Sequence, residues 1–496
     1  MNIVDTKAFA VSEFLSNPVK MHIGGEQVAA SSGKMFETLD PGTGQLLARV
    51  PAAEAVDVDT AVDAARQAFN KTTWRTMPVK DRAVLLHRLA DLIDKHTPLL
   101  AEIESRDVGK PRAQATAFDI PHAAQTFRYY ADLSVNTGLR EPFPVSGNDA
   151  WSFRQPHGVC GFIFPWNFPF LLLGWGVAPA MAAGNTIVIK PAEDTPLSAL
   201  LFARLSEEAG IPKGVVNVVT GLGSVTGAAL SAHPGINRMS FTGSPEIGKL
   251  VAEACARNLV PTKLELGGKG AAVLFDDIAV ESAAEALAAA VTLNAGQVCC
   301  TATRWIVHEK VADAFIAKAV STMKGMKVGY GGDEASQIGP LVSDKQRRRV
   351  LGYVERSVKE GAEAYLPGGV ADIAGYEGGF YVMPAILGGA PNNICAREEV
   401  FGPVAYVIKF KDEEEAVALV NSSPYGLANS VWTTDLDRAT RVAERLVAGN
   451  SWINAHNLFP HGVSYGGCNL SGCGGGVLGP DTLEDYYRKQ SIVRPL

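Results

Sequence analysis

The sequence predicts an α/β protein in which helices cover largely parallel sheets. From Gly158 onward, short apolar runs of the kind that form buried strands alternate with helical segments. These runs are GVCGFIF, NTIVIK, GVVNVVT, INRMSFTG and AAVLF. A second alternating region follows Cys299 and extends to about Asn454, and its strand-like runs are TRWIVHE, FYVMPAIL, VAYVIKF, SVWTTD and SWINA. Alternation of this kind is typical of parallel sheets connected by helical crossovers.

Two helices are predicted ahead of the first strand-like run. Residues 56–70 and 81–96 place apolar residues at helical spacing, as expected of helices that pack one face on a core. The apolar stripe of the second helix consists of Leu85, Leu86, Leu89, Leu92 and Ile93. Another helix is predicted over residues 196–210. Residues 129–156 and 485–496 fit neither alternating region, and we interpret them as arms that contact another subunit.

Composition excludes several classes of function. The chain of 496 residues has 45 basic and 52 acidic residues and no basic block, so nucleic acid and anionic membrane are not expected partners. Nine scattered histidines form no H-E-x-x-H motif, so no metal site is predicted. Seven cysteines without a C-x-x-C pair indicate a reducing compartment, which predicts a cytoplasmic protein.

The segment from Gly158 to Ile189 carries no charged residue and has the hydropathy of a membrane span. Prolines and glycines interrupt any single helix in it, at Pro165, Pro169, Gly174, Gly176, Pro179 and Gly184. We therefore interpret the segment as buried strands and short helices. The N-terminus also lacks the apolar core of a signal peptide, so no membrane association is predicted.

The segment NAGQVCC, residues 294–300, contains a candidate catalytic nucleophile. A cysteine nucleophile needs an ionisable thiol and an approach for its substrate, which a glycine-containing turn can provide. The alternative is that Cys299 is a small buried apolar residue, as lone cysteines often are. Three further segments favour catalysis.

Two of these segments hold a polar side chain in apolar surroundings. Asn167 lies between two prolines and two aromatic residues in PWNFP, and a rigid amide of this kind suits an oxyanion hole. Glu265 ends a strand-like run in LELGGK, where apolar surroundings raise the pKa of a carboxyl group toward that of a general base. The alternative for Glu265 is a surface salt bridge with Lys269 or Lys263.

The third segment, FTGS at residues 241–244, ends a strand-like run just before PEIG. Ser244 suits the N-cap of a helix and Pro245 suits its first turn, and exposed amides at such a terminus can receive a pyrophosphate group. The alternative is an ordinary junction between a strand and a helix.

Together these segments resemble those of the aldehyde dehydrogenase superfamily, in its NAD(P)-dependent and hydrolytic form. The resemblance covers nearly the whole chain, and the spacing of the motifs matches as well as their letters. The matching motifs are GKP (109–111), PWNFP (165–169), KPAEDTP (190–196), FTGS (241–244), ELGGK (265–269), GQVC (296–299), EEVFGP (398–403) and PYGLA (424–428).

The resemblance implies an architecture of three parts. A Rossmann-like NAD-binding domain would comprise residues 1–130 and 152–262, and an α/β catalytic domain residues 263–465. A small β oligomerisation arm would comprise residues 131–151 and 481–496. The resemblance also implies a homodimer or a homotetramer.

The resemblance assigns the chemistry to three residues. Cys299 would attack the carbonyl of a small-molecule aldehyde to form a thiohemiacetal, while Asn167 and the Cys299 backbone N–H hold the oxyanion. After hydride transfer to NAD, Glu265 would activate the water that hydrolyses the thioester to a carboxylic acid. The implied cofactor-binding residues are Trp166, Lys190, Glu193, Gly223, Gly243, Ser244, Gly248, Glu399 and Phe401. The implied aldehyde tunnel consists of Phe168, Leu172, Trp175, Val298, Cys300, Phe459 and Tyr465.

Two features of these sets bear on specificity. Glu193 favours NAD over NADP, because a carboxylate accepts hydrogen bonds from a ribose 2′-OH but repels a 2′-phosphate. NADP stays a less favoured alternative. The tunnel set contains no Arg or Lys, so it favours an aliphatic or aromatic aldehyde over a phosphorylated one. Its aromatic rings also leave a betaine-type aldehyde open.

The chain departs from the family pattern at several positions. Pro245 stands where the family usually has Thr, which removes one hydroxyl donor from the phosphate turn. Many relatives read SGxGRE, whereas here SGCG is followed by Gly475 and Gly476. Gly176 stands where many of the same relatives have Lys. We therefore expect hydrolysis to rely on Glu265 without a second carboxylate.

Three other functions stay open on the sequence alone. An acylating dehydrogenase would pass its thioester to coenzyme A, but such relatives commonly lack the Glu that this chain has at Glu265. A cofactor-free cysteine hydrolase would need a base, and no His stands out as a partner of Cys299. A non-catalytic NAD-binding relative would not need its catalytic positions, which are intact here.

Overall fold

Two large sheets organise the chain in the computed structural model, which describes Phe14 and residues 19–496. Within the described residues the first sheet has eight strands. In spatial order they are Gly472–Cys473, Thr262–Glu265, Arg238–Thr242, Val159–Ile163, Thr186–Lys190, Val216–Val218, Met21–Ile23 and Glu26–Val28. The five from Thr262–Glu265 to Val216–Val218 are parallel, and the strands at the two edges are antiparallel to their neighbours.

The helices of this part of the chain cover the first sheet and one another. They are Ala55–Lys71, Val79–Lys95, Thr97–Val108, Arg112–Gln114, Ile120–Asn136, Pro169–Ala182, Leu197–Glu208, Ala228–Ala232 and Pro245–Ala256, with π-helical turns at Ala115–Asp119 and Gly223–Gly227. The helices predicted over 56–70, 81–96 and 196–210 are confirmed. The stripe of the second, including Leu86, Leu89 and Ile93, is buried in the core.

The second sheet has seven strands among the described residues. In spatial order they are Glu363–Val370, Val382–Gly388, Val404–Phe410, Ala302–His308, Gly270–Leu274, Ala428–Trp432 and Asn450–Ile453, and all but the first are parallel. Its helices are Val280–Thr292, Glu309–Lys324, Asp344–Lys359, Ile394–Arg397, Glu413–Asn421 and Leu436–Ala443, with short 3₁₀ turns at Leu293–Gly296 and Asn469–Ser471. The predicted α/β fold is confirmed.

One strand-like run belongs to a different sheet from the runs that it follows. The alternation along the sequence groups AAVLF with the runs that follow Gly158, although the run lies beyond the predicted division at residues 262 and 263, and the strand Gly270–Leu274 pairs with Ala302–His308 in the second sheet. The chain leaves the first sheet after Thr262–Glu265, and the turn Gly267–Gly268 leads it to the second. The strand Thr262–Glu265 therefore spans the predicted division between residues 262 and 263.

Two smaller antiparallel sheets complete the fold. Tyr487–Pro495, Asn148–Pro156 and Arg140–Phe143 form a three-stranded sheet apart from the two large ones, and Met35–Asp40 pairs with Gln45–Pro51. The last helix is Pro480–Glu484. Residues 129–136 do not belong to the small sheet, because they continue the helix Ile120–Asn136, and its residues Tyr130 and Ala131 lie in the core.

The uncharged segment from Gly158 to Ile189 is built as predicted. It consists of a buried strand, the helix Pro169–Ala182 and a second buried strand. In the part of the chain that the structure describes, no helix combines the length and the apolar character needed to cross a membrane.

Strand register brings three predicted segments to one edge of the first sheet. Phe241 pairs with Ile163, and Thr242 pairs with Glu265, so three parallel strands end side by side. The chain after these ends carries Asn167 and Ser244. The carboxyl edge of a parallel sheet is where such folds place their ligands.

Candidate active site

An apolar cavity of about 360 Å³ and a more polar cleft of about 750 Å³ meet at Cys299. The residues that line both spaces are Asn167, Leu172, Thr242, Leu266 and Cys299. Asn167 comes from the first sheet and Cys299 from the segment that enters the second. The meeting point therefore exists only because the two sheets pack together.

A strained turn presents Cys299 to this meeting point. Asn294, Ala295 and Gly296 all have left-handed backbone angles, with φ of 48°, 53° and 72°. Left-handed non-glycine residues cost about 1–2 kcal/mol each, so the surrounding structure must hold them. The buried Gln297 does so, because its amide donates to the Asn294 carbonyl at 2.9 Å and its Oε1 accepts from the Val342 N–H at 2.9 Å.

Asn167 is locked to the same turn. Its Nδ2 donates to the Gln297 backbone carbonyl at 2.9 Å, and the Asn167 backbone carbonyl accepts from Asn294 Nδ2 at 2.7 Å. The side chain is 3% exposed, and the amide keeps a second N–H beyond the one used here. Asn167 is thus a rigid neutral donor whose position is fixed relative to Cys299.

Glu265 lies in the cavity without a hydrogen-bond partner. The residue is 8% exposed, and neither carboxylate oxygen has a partner among the described residues. Burial raises the pKa of Glu265 to about 8, against the opposing effect of the nearby Lys263 ammonium. The alternative of a surface salt bridge is wrong, because the carboxylate is buried, and Lys263 and Lys269 are buried as well.

The Cys299 thiol is half-buried beside a second cysteine. Interaction with the Cys300 thiol and burial raise the pKa of Cys299 well above its usual range. Its Sγ lies 3.8 Å from the Tyr465 hydroxyl, and the Cys300 thiol donates to Asn457 Oδ1 at 3.5 Å. The raised pKa favours the neutral thiol, which would have to lose its proton in order to react as a nucleophile.

Five of the nine predicted cofactor residues line the cleft, namely Trp166, Gly243, Ser244, Glu399 and Phe401. Ser244 caps the helix Pro245–Ala256, with its hydroxyl accepting from the Ile247 N–H at 3.4 Å, as predicted for an N-cap. Gly248 is on this helix, where a Cβ would lie 2.6 Å from the Leu266 side chain.

Lys190, Glu193 and Gly223 form a separate group at the end of a neighbouring strand. Lys190 Nζ donates to Glu193 Oε2 at 2.9 Å, and Glu193 Oε1 accepts from the Gly223 N–H at 3.4 Å. A Cβ on Gly223 would lie 3.8 Å from the carboxylate. The absence of a side chain there leaves the carboxylate accessible.

Hydrogen bonds from Gly268 and Gln346 hold Glu399 and Phe401 in place. Glu399 Oε1 accepts from the Gly268 N–H at 2.8 Å, and burial raises the pKa of Glu399 to about 7. Phe401 has a left-handed φ of 61°, its carbonyl accepts from Gln346 Nε2 at 2.8 Å, and its ring meets that of Trp166 edge-on at 5.2 Å. The sequence analysis did not identify Gln346, because its position in the site follows only from its hydrogen bond with the Phe401 carbonyl.

All seven predicted tunnel residues line the apolar cavity. The Trp175 ring lies 5.3 Å from that of Phe459 and 5.8 Å from that of Tyr465, so aromatic faces form much of the wall. The wall also includes residues that sequence reasoning missed, among them Phe118, Leu171, Lys263, Asn457 and Val477. Of these, Lys263 could have been predicted from the sequence, because it lies two positions before Glu265 on a strand and therefore faces the same side.

The glycines that depart from the sequence pattern are closely packed. A Cβ on Gly475 would overlap the Asp485 carboxylate, one on Gly476 would lie 2.5 Å from the Tyr465 carbonyl, and one on Gly176 would lie 2.9 Å from the Phe164 ring. Side chains at these positions would require neighbouring groups to move.

Within the described residues, no group of three or more His, Cys, Asp or Glu side chains is placed to hold a metal ion. The groups at the junction of the two spaces are instead a thiol, an amide and a carboxylate. Such a set can add to a carbonyl, hold an oxyanion and activate water.

Comparison with known proteins gives consistent matches. A model of the aldehyde dehydrogenase family matches residues 28–492. The chain is 39% identical to the mitochondrial benzaldehyde dehydrogenase of Antirrhinum majus, covering 99% of this chain and 92% of that protein. It is 40% identical to the 2-hydroxymuconic semialdehyde dehydrogenase of Pseudomonas sp. (strain CF600), covering 96% and 99%. The NAD⁺ complex of an aldehyde dehydrogenase from Bacillus cereus superimposes with a TM-score of 0.95 at 39% identity, covering 98% of each chain.

The turn before Cys299 yields a test of stability. A Cβ on Gly296 would overlap the backbone of Gly402 and Pro403, and the residue is also left-handed. We expect Gly296→Ala to lower the free energy of unfolding by about 2–5 kcal/mol, the sum of backbone strain and overpacking.

The matched control is Gly361→Ala, where φ is +91° and nothing lies within 4 Å of the added Cβ. It should cost only the strain, about 1–2 kcal/mol. Urea unfolding followed by circular dichroism measures both variants. Equal losses would show that the close approach at Gly296 contributes nothing.

Proposed function

Because the chain belongs to the aldehyde dehydrogenase family, we propose that it oxidises a small-molecule aldehyde to the carboxylic acid with NAD through a thioester on Cys299. The observation that carries the proposal is the position of Cys299, where the apolar cavity meets the polar cleft. Asn167 stands at the same junction and Glu265 stands in the cavity. Substrate and cofactor would thus approach the sulfur from different sides.

The residues of the cleft, together with the separate group that contains Glu193, fit a dinucleotide. The exposed helix N-terminus at Ser244 suits a pyrophosphate group, and the accessible Glu193 carboxylate suits a ribose hydroxyl. Phe401 and Trp166 add aromatic rings to the wall of the cleft that also reaches Cys299. When bound, NAD supplies the hydride acceptor. Because Glu193 would repel a 2′-phosphate, NAD is favoured over NADP.

In the first half of the reaction, the Cys299 thiol gives its proton to solvent water and its sulfur bonds to the aldehyde carbon. The carbonyl oxygen becomes an oxyanion, which Asn167 Nδ2 and the Cys299 backbone N–H stabilise. One such donor contributes about 2.7–4 kcal/mol to transition-state stabilisation. Loss of the hydride from the same carbon leaves the thioester on sulfur.

In the second half, Glu265 removes a proton from water as the water oxygen adds to the thioester carbon. The carbon–sulfur bond then breaks, releasing the carboxylic acid and the cysteine. A carboxylate without hydrogen-bond partners is free to accept this proton. The presence of Glu265 also favours water over coenzyme A as the acyl acceptor.

The cavity wall favours an aliphatic or aromatic aldehyde. The predicted tunnel residues bring aromatic rings and aliphatic groups but no Arg or Lys, and Lys263 is the one cationic side chain among the described residues of the wall, so the wall favours an uncharged side chain over a phosphate group. The similarity to a benzaldehyde dehydrogenase supports an aromatic substrate. A semialdehyde stays an alternative, since a relative acts on one by name.

We also retain the predicted organisation of the chain as a proposal. The NAD-binding domain would comprise residues 1–130 and 152–262, the catalytic domain residues 263–465, and the arm residues 131–151 and 481–496. All seven cysteines are free, which supports a reducing compartment, and we propose the cytoplasm.

The first test is NADH formation at 340 nm with a panel of aliphatic, aromatic and semialdehyde substrates. Each assay contains NAD or NADP, with or without coenzyme A. We expect NADH with NAD in the absence of coenzyme A, and complete loss in Cys299→Ala. Activity that requires coenzyme A would contradict hydrolysis, and silence with every aldehyde despite NAD binding would favour a non-catalytic role.

The second test uses pH. Because the pKa of Glu265 is raised to about 8, the base is protonated at low pH, and hydrolysis should increase as pH rises through about 8. We expect Glu265→Gln to lower steady-state turnover by about 10²–10⁴-fold while a single-turnover burst of NADH persists. Stopped-flow and steady-state assays between pH 6 and 10 measure both.

The control for this test is Glu309→Gln, the same substitution at an exposed position on the second sheet's helix Glu309–Lys324. Near-normal turnover by Glu265→Gln would show that another group activates the water.

The third test concerns the arm, which we propose joins subunits into a homodimer or homotetramer. Phe143 and Val493 flank Ala150 on one face of the small sheet, and they are 42% and 61% exposed. Such an apolar ridge suits a partner subunit. We expect the double variant Phe143→Lys, Val493→Lys to have a lower mass by light scattering than the unmodified protein.

The control for the arm replaces two exposed valines elsewhere, Val84→Lys and Val358→Lys, which are 53% and 46% exposed. It should leave the mass unchanged. A monomeric unmodified protein, or an arm variant with unchanged mass, would overturn the assignment of the arm.

A further inference from the structure

We propose that Lys263 is a positioning residue for Glu265, whose ionised form it stabilises while the acyl-enzyme is hydrolysed. The inference rests on the proposed function and adds to it a residue outside every motif that marks the family. It starts from strand geometry, because Lys263 and Glu265 are two positions apart on Thr262–Glu265 and so face the same side. Both line the apolar cavity together with Cys299.

The neighbouring strand makes this side of the sheet a polar strip. Ser240 pairs with Lys263 and Thr242 pairs with Glu265, and both of these hydroxyl residues line the cavity too. Among the described residues of the cavity wall, Lys263 is the one with a cationic side chain. The cavity therefore holds its single cation on the same strand as its proposed base.

Lys263 is buried with few partners. It is 1% exposed, its Nζ donates to the Gly476 carbonyl at 3.2 Å, and Nζ lies 5.5 Å from the centre of the Tyr486 ring. An ammonium group has three donors, so one carbonyl and one ring satisfy it only in part. A buried cation of this kind is costly to the fold unless an anion faces it.

The charged groups around Lys263 identify that anion. Those whose charge acts on it are Glu265, Arg238, Asp485 and Asp481. Arg238 lies 3.7 Å from Asp485 and donates to the Gly474 carbonyl at 3.2 Å. Asp485 therefore already has a cationic partner in Arg238. Glu265 has no such partner, and it has the strongest attraction of these groups for Lys263.

Glu265 in turn faces two titratable groups, Lys263 and Cys299, which act in opposite directions. Burial raises the pKa of Glu265 to about 8 and lowers the pKa of Lys263 to about 8. Each group supports the charge of the other, so the two titrate as a pair. The Lys263 cation is present below about pH 8, where the carboxylate most needs help to stay ionised.

The nearby glycines have no side chain that could stabilise the Glu265 carboxylate in place of Lys263. Gly176 and Gly476 carry no side chain, and the ring of Phe164 occupies the space in front of Gly176. Glu265 Oε1 is 3.2 Å from the Cβ position of Gly466, and the same position is 2.9 Å from Gly476 Cα. The Gly476 segment thus borders the carboxylate and also fixes the Lys263 ammonium through its carbonyl.

The test compares K263M, K263Q and K263R with the unmodified enzyme between pH 6 and 10. K263M removes the cation. K263Q removes the cation too but keeps an N–H donor for the Gly476 carbonyl, and K263R keeps the charge. The readouts are steady-state turnover without coenzyme A and the amplitude of the single-turnover NADH burst. Thermal unfolding and NAD binding establish that each variant is folded.

We expect K263M and K263Q to turn over about tenfold more slowly at pH 7, corresponding to a one-unit increase in the pKa of Glu265. Their rates should approach that of the unmodified enzyme above about pH 9, where Lys263 is neutral in any case. The burst amplitude should be retained, because acylation does not use Glu265. K263R should restore most of the rate at pH 7.

The matched control is K310M, the same loss of charge at an exposed residue on a helix of the second sheet. It should keep the pH profile of the unmodified enzyme. If K263M fails to fold, K263Q alone decides the question. A K263Q or K263M enzyme with an unshifted pH profile overturns the role of Lys263, and so does a loss of rate that is equal at every pH.

The two proposals fail in different ways. An unmodified enzyme that forms no NADH without coenzyme A overturns the hydrolytic function, and the role of Lys263 with it. An unmodified enzyme that hydrolyses its thioester, beside lysine variants with unchanged profiles, overturns the role of Lys263 alone.

Discussion

Two buried hydrogen bonds between Asn167 and the turn before Cys299 hold the site together. Asn167 donates to the Gln297 carbonyl and accepts from Asn294, so each segment fixes the other. One segment extends from the first sheet and the other leads into the second. Breaking such a bond leaves a buried polar group without a partner, at a cost of about 1–3 kcal/mol. The geometry of the junction thus depends on how the two sheets pack.

That packing also determines the chemistry of the ionisable groups. The carboxyl ends of the first sheet's strands would face solvent if the second sheet did not cover them. Covered, they place Glu265 and Lys263 in an apolar cavity, where burial shifts the pKa of each toward 8. Glu399, at the edge of the cleft, shows the same effect to a lesser extent. The cost of burying charge therefore moves the pKa of each group toward neutral pH.

The sequence predicted what depends on local periodicity and on motifs. Helices with a continuous apolar stripe, such as Val79–Lys95, were found within two residues of their predicted ends. The sheet that a strand joins was harder to predict, because an apolar run such as AAVLF would suit either sheet. The strained turn at Gly296 depends on Gly402, about a hundred positions later, and no local pattern contains that contact. The alternative that made Lys263 or Lys269 a surface partner of Glu265 was wrong, because burial is not a local property.

The departures from the family pattern and the buried lysine form one arrangement. Gly475 and Gly476 bring the backbone of the C-terminal segment against Asp485 and Tyr465, with no space for side chains. A charge at those positions could not reach Glu265 without displacing these neighbours. The strand Thr262–Glu265 has a period of two, which places position 263 beside position 265 on the same face. A cation at position 263, anchored by the Gly476 carbonyl, is therefore compatible with the close packing that excludes one at 475 or 476.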